Sequence, residues 1–395
     1  MREEFHASGG SIRIRVIGFA SFRTSSQERR KPLMHRLAAT VLVVAASVSA
    51  SMTQQAKGTP GTPSSSDIPG ARMVSITILY SFGTIPKSVQ TMDMWFSVPV
   101  EDDTQKIQNR FTYAPYPSKF SQDAQTGNHF MYMEGGPRGG VPMQVRMSFD
   151  AQRIESRLAP AAVAAAKTDQ GTGQNAMMQR WLGSARGATI DDALKSRAAG
   201  IVAGQRTAYD RARAIYDYII LNIGDVEHTE LQAEATGGDV AAVLQNQRGT
   251  AIDMAAAFVA LCRAAGIPAR NVTGVKIPQR VRQGTITGAH GWAEFWLEGA
   301  GWVPVDPAEG KRNPSRRDYY FGSLDPNRLA ITRDRDIALI PRQAGGPLTF
   351  FSGAYWEGNK QAMPAPAMQI DFTELDTVPT PQTIPLTPRT PKPQG

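Results

Sequence analysis

His290 and Asp306 frame the chemistry this chain could carry. They lie in GAHGWAEFWLEGAGWVPVDPAEG, residues 288–310. Alternation predicts a strand that puts His290, Trp292, Glu294 and Trp296 on one face. Gly299-Ala300-Gly301 is a turn, and WVPVDP a second strand ending at Asp306. A His on one strand and an Asp on its neighbour can meet across such a hairpin. The carboxylate then orients the imidazole and stabilises its cation, the arrangement needed to take a proton from a nucleophile. Trp292 and Trp296 become candidate apolar walls of a pocket, with core packing as the competing role.

The nucleophile must come from elsewhere, and RGTAIDMAAAFVALCRAAGIPAR (248–270) is built to present one. Thr250 and Asp253 form a T-x-x-D capping box, so the helix should begin at Ala251. Ala251, Met254, Ala255, Phe258, Cys262 and Ala265 recur on one face. Gly266 can close the helix in a left-handed conformation and Pro268 stops its continuation. The first residue of a helix is where a thiol ionises most readily, because unpaired amides and the helix dipole favour negative charge. Alanine occupies that place. The only cysteine, Cys262, lies roughly 16 Å further along the axis, at ~1.5 Å per residue, among apolar neighbours. There it reads as a packed core residue. Thr250, as the cap, has its hydroxyl committed to the backbone.

Taken in order, the helix, then AHGWAEFW, then GWVPVDPAEG resemble the transglutaminase-like superfamily, related to papain-type thiol enzymes. RDYYFGSLDPNRLAITRDRDIAL (317–339) looks like the corresponding segment of bacterial secreted members. The resemblance covers residues 207 to about 360. It implies a cysteine at the helix start that attacks an amide carbonyl, a His that takes the proton and an Asp that orients the His. The matching positions are Ala251, His290 and Asp306. It also implies an α+β core, with the nucleophile helix packed on an antiparallel sheet. Small residues at Ala289 and Gly291, where relatives carry larger ones, suggest a relaxed site.

The elements around this core follow from pattern and composition. With 41% hydrophobic and 20% charged residues among 395, the chain has the makeup of an ordinary globular protein that needs no disulfides. Residues 1–50 read as a leader: Met34-His35-Arg36, the apolar run LAATVLVVAASVSA and a small-residue cleavage site at Val48-Ser49-Ala50, with Met34 a possible true start. Residues 51–70 are a Gly/Pro/Ser linker. VSITILYSF, TMDMWFSVPV and three shorter runs predict a β-rich, sandwich-like module over 71–150. Ala-rich residues 151–205 form a helical connector, TAYDRARAIYDYIILNI begins a transglutaminase-like domain over 206–360, and 361–395 is a Pro/Thr-rich disordered tail.

The net charge of +8 belongs mostly to the leader, whose eight Lys/Arg against three Asp/Glu leave 35 against 32 in the remainder. No basic stripe with interleaved aromatics remains, so nucleic acid is not an expected partner. After the leader only His129, His228 and His290 are left, without ligand spacing, so neither a metal nor a cofactor is expected. The expectation is a secreted or periplasmic, cell-envelope protein with no integral membrane span after leader removal. Its expected function is that of a catalytically impaired pseudoenzyme binding peptide-like or cell-wall-associated ligands, with a protein or peptide-like ligand as its partner. Two alternatives stand beside it. One is an active thiol protease, amidase or acyl transferase, should position 251 carry cysteine; the other is a structural or assembly module.

Overall fold

The computed structural model describes residues 70–136, 140, 142–166, 176–227, 238–376 and 384–385. The leader, most of the linker, His228 and, in the tail, residues 377–383 and 386–395 lie outside the described residues. All that is described belongs to the unit running from Thr62 onward.

Alternation along Ala71–Thr84 dictates the first layer. Val74, Ile76, Ile78 and Tyr80 are buried while Ser75, Thr77 and Leu79 are only partly so. This strand sits at the centre of a five-stranded sheet in the order Gln283–Ile286, Ala367–Glu374, Ala71–Thr84, Pro142–Ile154, Gln105–Tyr113. A second five-stranded sheet runs Gln361–Ala362, Ala354–Gly358, Met92–Val98, His129–Gly135, Ser118–Gln122. Tyr80 meets Phe96 edge-on at 5.0 Å between ring centres, and Phe82 meets Trp356 at 5.6 Å. The two sheets therefore share one core and form a sandwich.

That sandwich is not closed by residues 71–150. Its second sheet needs Ala354–Gly358, and its first needs Ala367–Glu374, paired from Val74↔Glu374 to Ser81↔Ala367. A disordered tail counted from 361 is thus corrected: Ala367–Glu374 is a strand of the sandwich, with Ile370 and Phe372 buried. The physical reason is the alternation Met368, Ile370, Phe372, which gives the segment an apolar face ahead of the prolines.

The remaining layers are α+β. A four-stranded antiparallel sheet runs Gly301–Val305, Ala289–Leu297, Ala269–Lys276, Arg328–Arg333. The helix Ala251–Ala264 packs on it, with Phe258 against Phe295 at 6.2 Å. Ala208–Asn222, capped by Thr207, packs in the same core through Ala212, Ile215, Tyr216 and Ile219. The Ala251 helix is buried all round from Ala251 to Arg263, rather than on one face. Its run of alanines allows this, since neighbours can close in from every side.

Candidate functional site

Local chemistry fixes where the Ala251 helix begins. Thr250 Oγ1 accepts the Asp253 N–H at 3.3 Å, and Asp253 Oδ2 accepts the Thr250 N–H and hydroxyl, both at 2.9 Å. This is the expected capping box, and it keeps the Thr250 hydroxyl engaged. At the other end Gly266 has φ +78° and the Ile267 N–H reaches back to the Cys262 carbonyl at 2.8 Å. Cys262 is fully buried, and burial pushes its thiol well above the ordinary value, against the pull of Arg211 and Arg263. It is far from being a ready nucleophile.

Ala251 and His290 line the same cleft, of about 520 Å³. His290 is on the strand Ala289–Leu297, whose partner Gly301–Val305 delivers Asp306 just beyond its end. His290 Nε2 lies 2.8 Å from Asp306 Oδ2. Asp306 also accepts the Arg328 Nε–H at 2.8 Å and, as the cap of the helix Pro307–Arg312, the Glu309 N–H at 3.0 Å. Although burial pushes this carboxyl up, His290 and Arg328 hold it well below the usual range. An ionised carboxylate only accepts, so Nε2 must carry a proton, which leaves Nδ1 as the basic nitrogen of the neutral ring. The hairpin thus brings the predicted His and Asp together, with the helix start in the same cleft.

Gly291 changes the reading of this cleft. A Cβ there would stand 2.7 Å from the Ile252 Cα. Glycine is what lets the helix start dock against the His290 strand. The expectation of a relaxed site at Gly291 is therefore replaced by a tightly docked one.

Trp292 and Trp296 do not line this cleft. They line a separate cavity of about 230 Å³ with Trp302, Arg153 and Arg270. They share the face of His290, as alternation required, and the Trp292 ring lies 6.3 Å from the imidazole. His129 sits in the sandwich, and among the described residues no group of three His, Cys, Asp or Glu could hold a metal ion.

Sequence reasoning missed the charged cluster behind the imidazole. Arg328 is fully buried and ties Asp306 to Asp325, which it meets at 2.7 Å through Nη1. Glu309 is buried beside them and accepts both bonds from Lys276 Nζ, at 2.8 and 2.7 Å. Lys276 and Arg312 line the cleft, with Asp225 and Glu227. One signal was available: D-P-A-E, Asp306 to Glu309, is a helix start with Asp as cap and Pro at the first helical position. Nothing in RDYYFGSLDPNRLA singles out Arg328.

With this geometry in place, likeness to other proteins becomes informative. Residues 195–307 match the family model described as Transglutaminase-like superfamily. The chain contains a transglutaminase-like core. It is 32% identical over 152 residues to an uncharacterized protein of Haemophilus influenzae, covering 30% of this chain and 41% of that one. It is 28% identical over 119 residues to the uncharacterized protein YebA of Bacillus subtilis, covering 27% of this chain and 16% of YebA. The chain thus spans less than half the length of these relatives. A solved structure of a proposed cysteine protease from Cytophaga hutchinsonii superposes with a TM-score of 0.52 at 16% identity, over 80% of this chain and 96% of that one. At that identity the likeness is one of fold. Among the described residues no helix is long and apolar enough to cross a membrane.

Proposed function

We propose that this protein is a secreted or periplasmic transglutaminase-like pseudoenzyme that binds a peptide-like ligand in the Ala251–His290 cleft without turning it over. The carrying observation is Ala251 itself, at the start of a fully capped helix and in one cleft with a carboxylate-oriented imidazole. A methyl group offers no lone pair, so an acyl-enzyme cannot form. His290 could at most polarise water, which leaves the covalent route closed. The cleft has polar groups that suit an amide-rich chain: the Arg312–Asp225 ion pair, Lys276 held by Glu309, the Glu227 carboxylate and two threonines. Export rests on the basic, apolar and small-residue parts of residues 34–50.

A peptide library incubated with the protein tests this. Retained peptides should be recovered intact, with no hydrolysed or acyl-transferred product by mass spectrometry. Products that form with the wild-type protein and vanish in His290→Ala would overturn the pseudoenzyme reading. Absence of any retained peptide would overturn the ligand.

A further inference from the structure

The cavity beside Trp292 takes no part in the chemistry above. Its volume of about 230 Å³ suits a ligand built around one ring. Its lining is partly aromatic. Trp292, Trp296 and Trp302 belong to it, and the Arg270 guanidinium lies 4.0 Å over Trp302 while bonded to Glu294 at 2.6 Å. That arginine is spoken for.

Arg153 and Arg333 belong to the same lining. Arg333 also has an unpaired Nε, but its charge is met by an ion pair through Nη2 to Asp102. Arg153 is only 3% exposed, and its Nη1 donates to the Thr104 carbonyl at 3.1 Å and hydroxyl at 3.3 Å. Its Nε has no partner, and it forms no ion pair with any carboxylate among the described residues. Asp102 is the nearest compensation. Arg333 and Arg153 hold that carboxyl at about 2 although burial pushes it up, and burial pushes Arg153 down to about 10. The lining has three guanidiniums (Arg153, Arg270, Arg333) and three carboxylates (Asp102, Asp103, Glu294), so total charge does not choose a ligand. Arg153 does, because it combines an unpaired Nε–H with the lack of any ion-paired carboxylate among the described residues. A buried donor without an acceptor is costly, and the side of a guanidinium is shaped for two carboxylate oxygens.

The geometry points to a second binding site, in which Arg153 takes the carboxylate of a small organic acid and Trp292 and its neighbouring indoles pack against that acid's planar, apolar ring. The site is distinct from the Ala251–His290 cleft and needs no covalent step.

Phenylacetate and its neutral counterpart phenylacetamide are the probes, read by tryptophan fluorescence and by calorimetry on the full chain. Phenylacetate should bind saturably, and the amide about tenfold or more weaker, because only the acid satisfies the charged donor. Arg153→Gln should erase the preference for the acid. Arg153→Lys should lose most of it, since an ammonium keeps the charge without the fork. Circular dichroism establishes that each variant is folded. Should both variants unfold, the wild-type pair of probes decides, with a phenylacetate-soaked crystal showing where the carboxylate sits. Equal affinity for acid and amide, no saturable binding, or a carboxylate placed away from Arg153 would each overturn the proposal.

Discussion

Ala251→Cys, made in a Cys262→Ala background, should create a thiol that ionises far below the free value. The helix start contributes about 1 kcal/mol to an anion there. A thiolate in contact with the His290 imidazolium, at the roughly 4 Å of an ion pair, gains about 4 kcal/mol at an effective dielectric of about 20. At about 1.4 kcal/mol per pKa unit, the two lower a thiol from about 8.5 to about 5. Ala251 is only 3% exposed, so burial works the other way, and the expected value lies between about 5 and 6.5. The rate of alkylation by iodoacetamide as a function of pH reads this directly and needs no knowledge of a substrate. His290→Ala in the same background should return the thiol to about 8–9, because only the helix contribution and the opposing burial remain. If the introduced thiol titrates near 8.5 and ignores His290, the two positions do not communicate. The assignment of Ala251, His290 and Asp306 to one constellation would then fail as geometry, and not merely for want of a sulfur atom.

Gly291→Ala should destabilise the fold by about 1–3 kcal/mol in urea unfolding, since its Cβ would collide with the Ile252 backbone; an unchanged midpoint would show that the contact is slack. In the Ala251→Cys background it should also raise the thiol's pKa by moving the helix start away. Cys262 should react slowly with a thiol reagent in native protein and rapidly after unfolding, and Cys262→Ala should cost about 1 kcal/mol. Asp306→Asn should cost about 3–5 kcal/mol, because it leaves Arg328 buried without one of its carboxylates. Asp306 is held below its unfolded value of about 3.9, so its contribution is present above that pH and is lost as pH falls toward the folded value. Acid unfolding of the wild type should accordingly show a steep loss below about pH 4, shallower in Asp306→Asn; equal slopes would contradict the assignment.

How much of this was legible in the sequence depended on how local each signal was. The Ala251 helix was readable at both ends because Thr250, Asp253 and Gly266 act within one turn of the boundaries they set. The His290–Asp306 contact was readable because a hairpin converts alternation into cross-strand proximity. The sandwich was readable as strands but not as a closed unit. Its sheets pair residues near 75 with residues near 373, and no local pattern encodes a partner that far along the chain. Arg328 was hidden for the same reason. Its role depends on Asp306, Asp325 and Glu309 meeting in three dimensions, and a lone arginine in a strand-forming run reads as surface. Gly291 was seen but read backwards, since absence of a side chain signals slack until the neighbour that fills the space is known.

The persistence of His290 and Asp306 beside an alanine has a physical basis that does not require catalysis. Asp306, Arg328, Asp325 and Glu309 are almost wholly buried and compensate one another. Removing any one strands a charge in the interior, at about 3–5 kcal/mol, a large fraction of the total stability of a domain. His290 donates into the same cluster. A thiol at position 251, by contrast, is bound into nothing: an alanine there leaves no donor or acceptor without a partner, and its methyl group still packs at the helix start. On the proposed pseudoenzyme reading, an alanine at 251 is therefore the one change in the constellation that folding does not oppose. The presence of His290 and Asp306 is then explained by stability, and does not by itself argue for a hidden activity. What does bear on ligand binding is the side of the cleft that folding does not need. Thr287 is exposed there, just past the strand that holds Thr285. Substitution of Thr287 should alter peptide retention while leaving the unfolding midpoint in place, which separates a cleft that binds from a cleft that is merely left over.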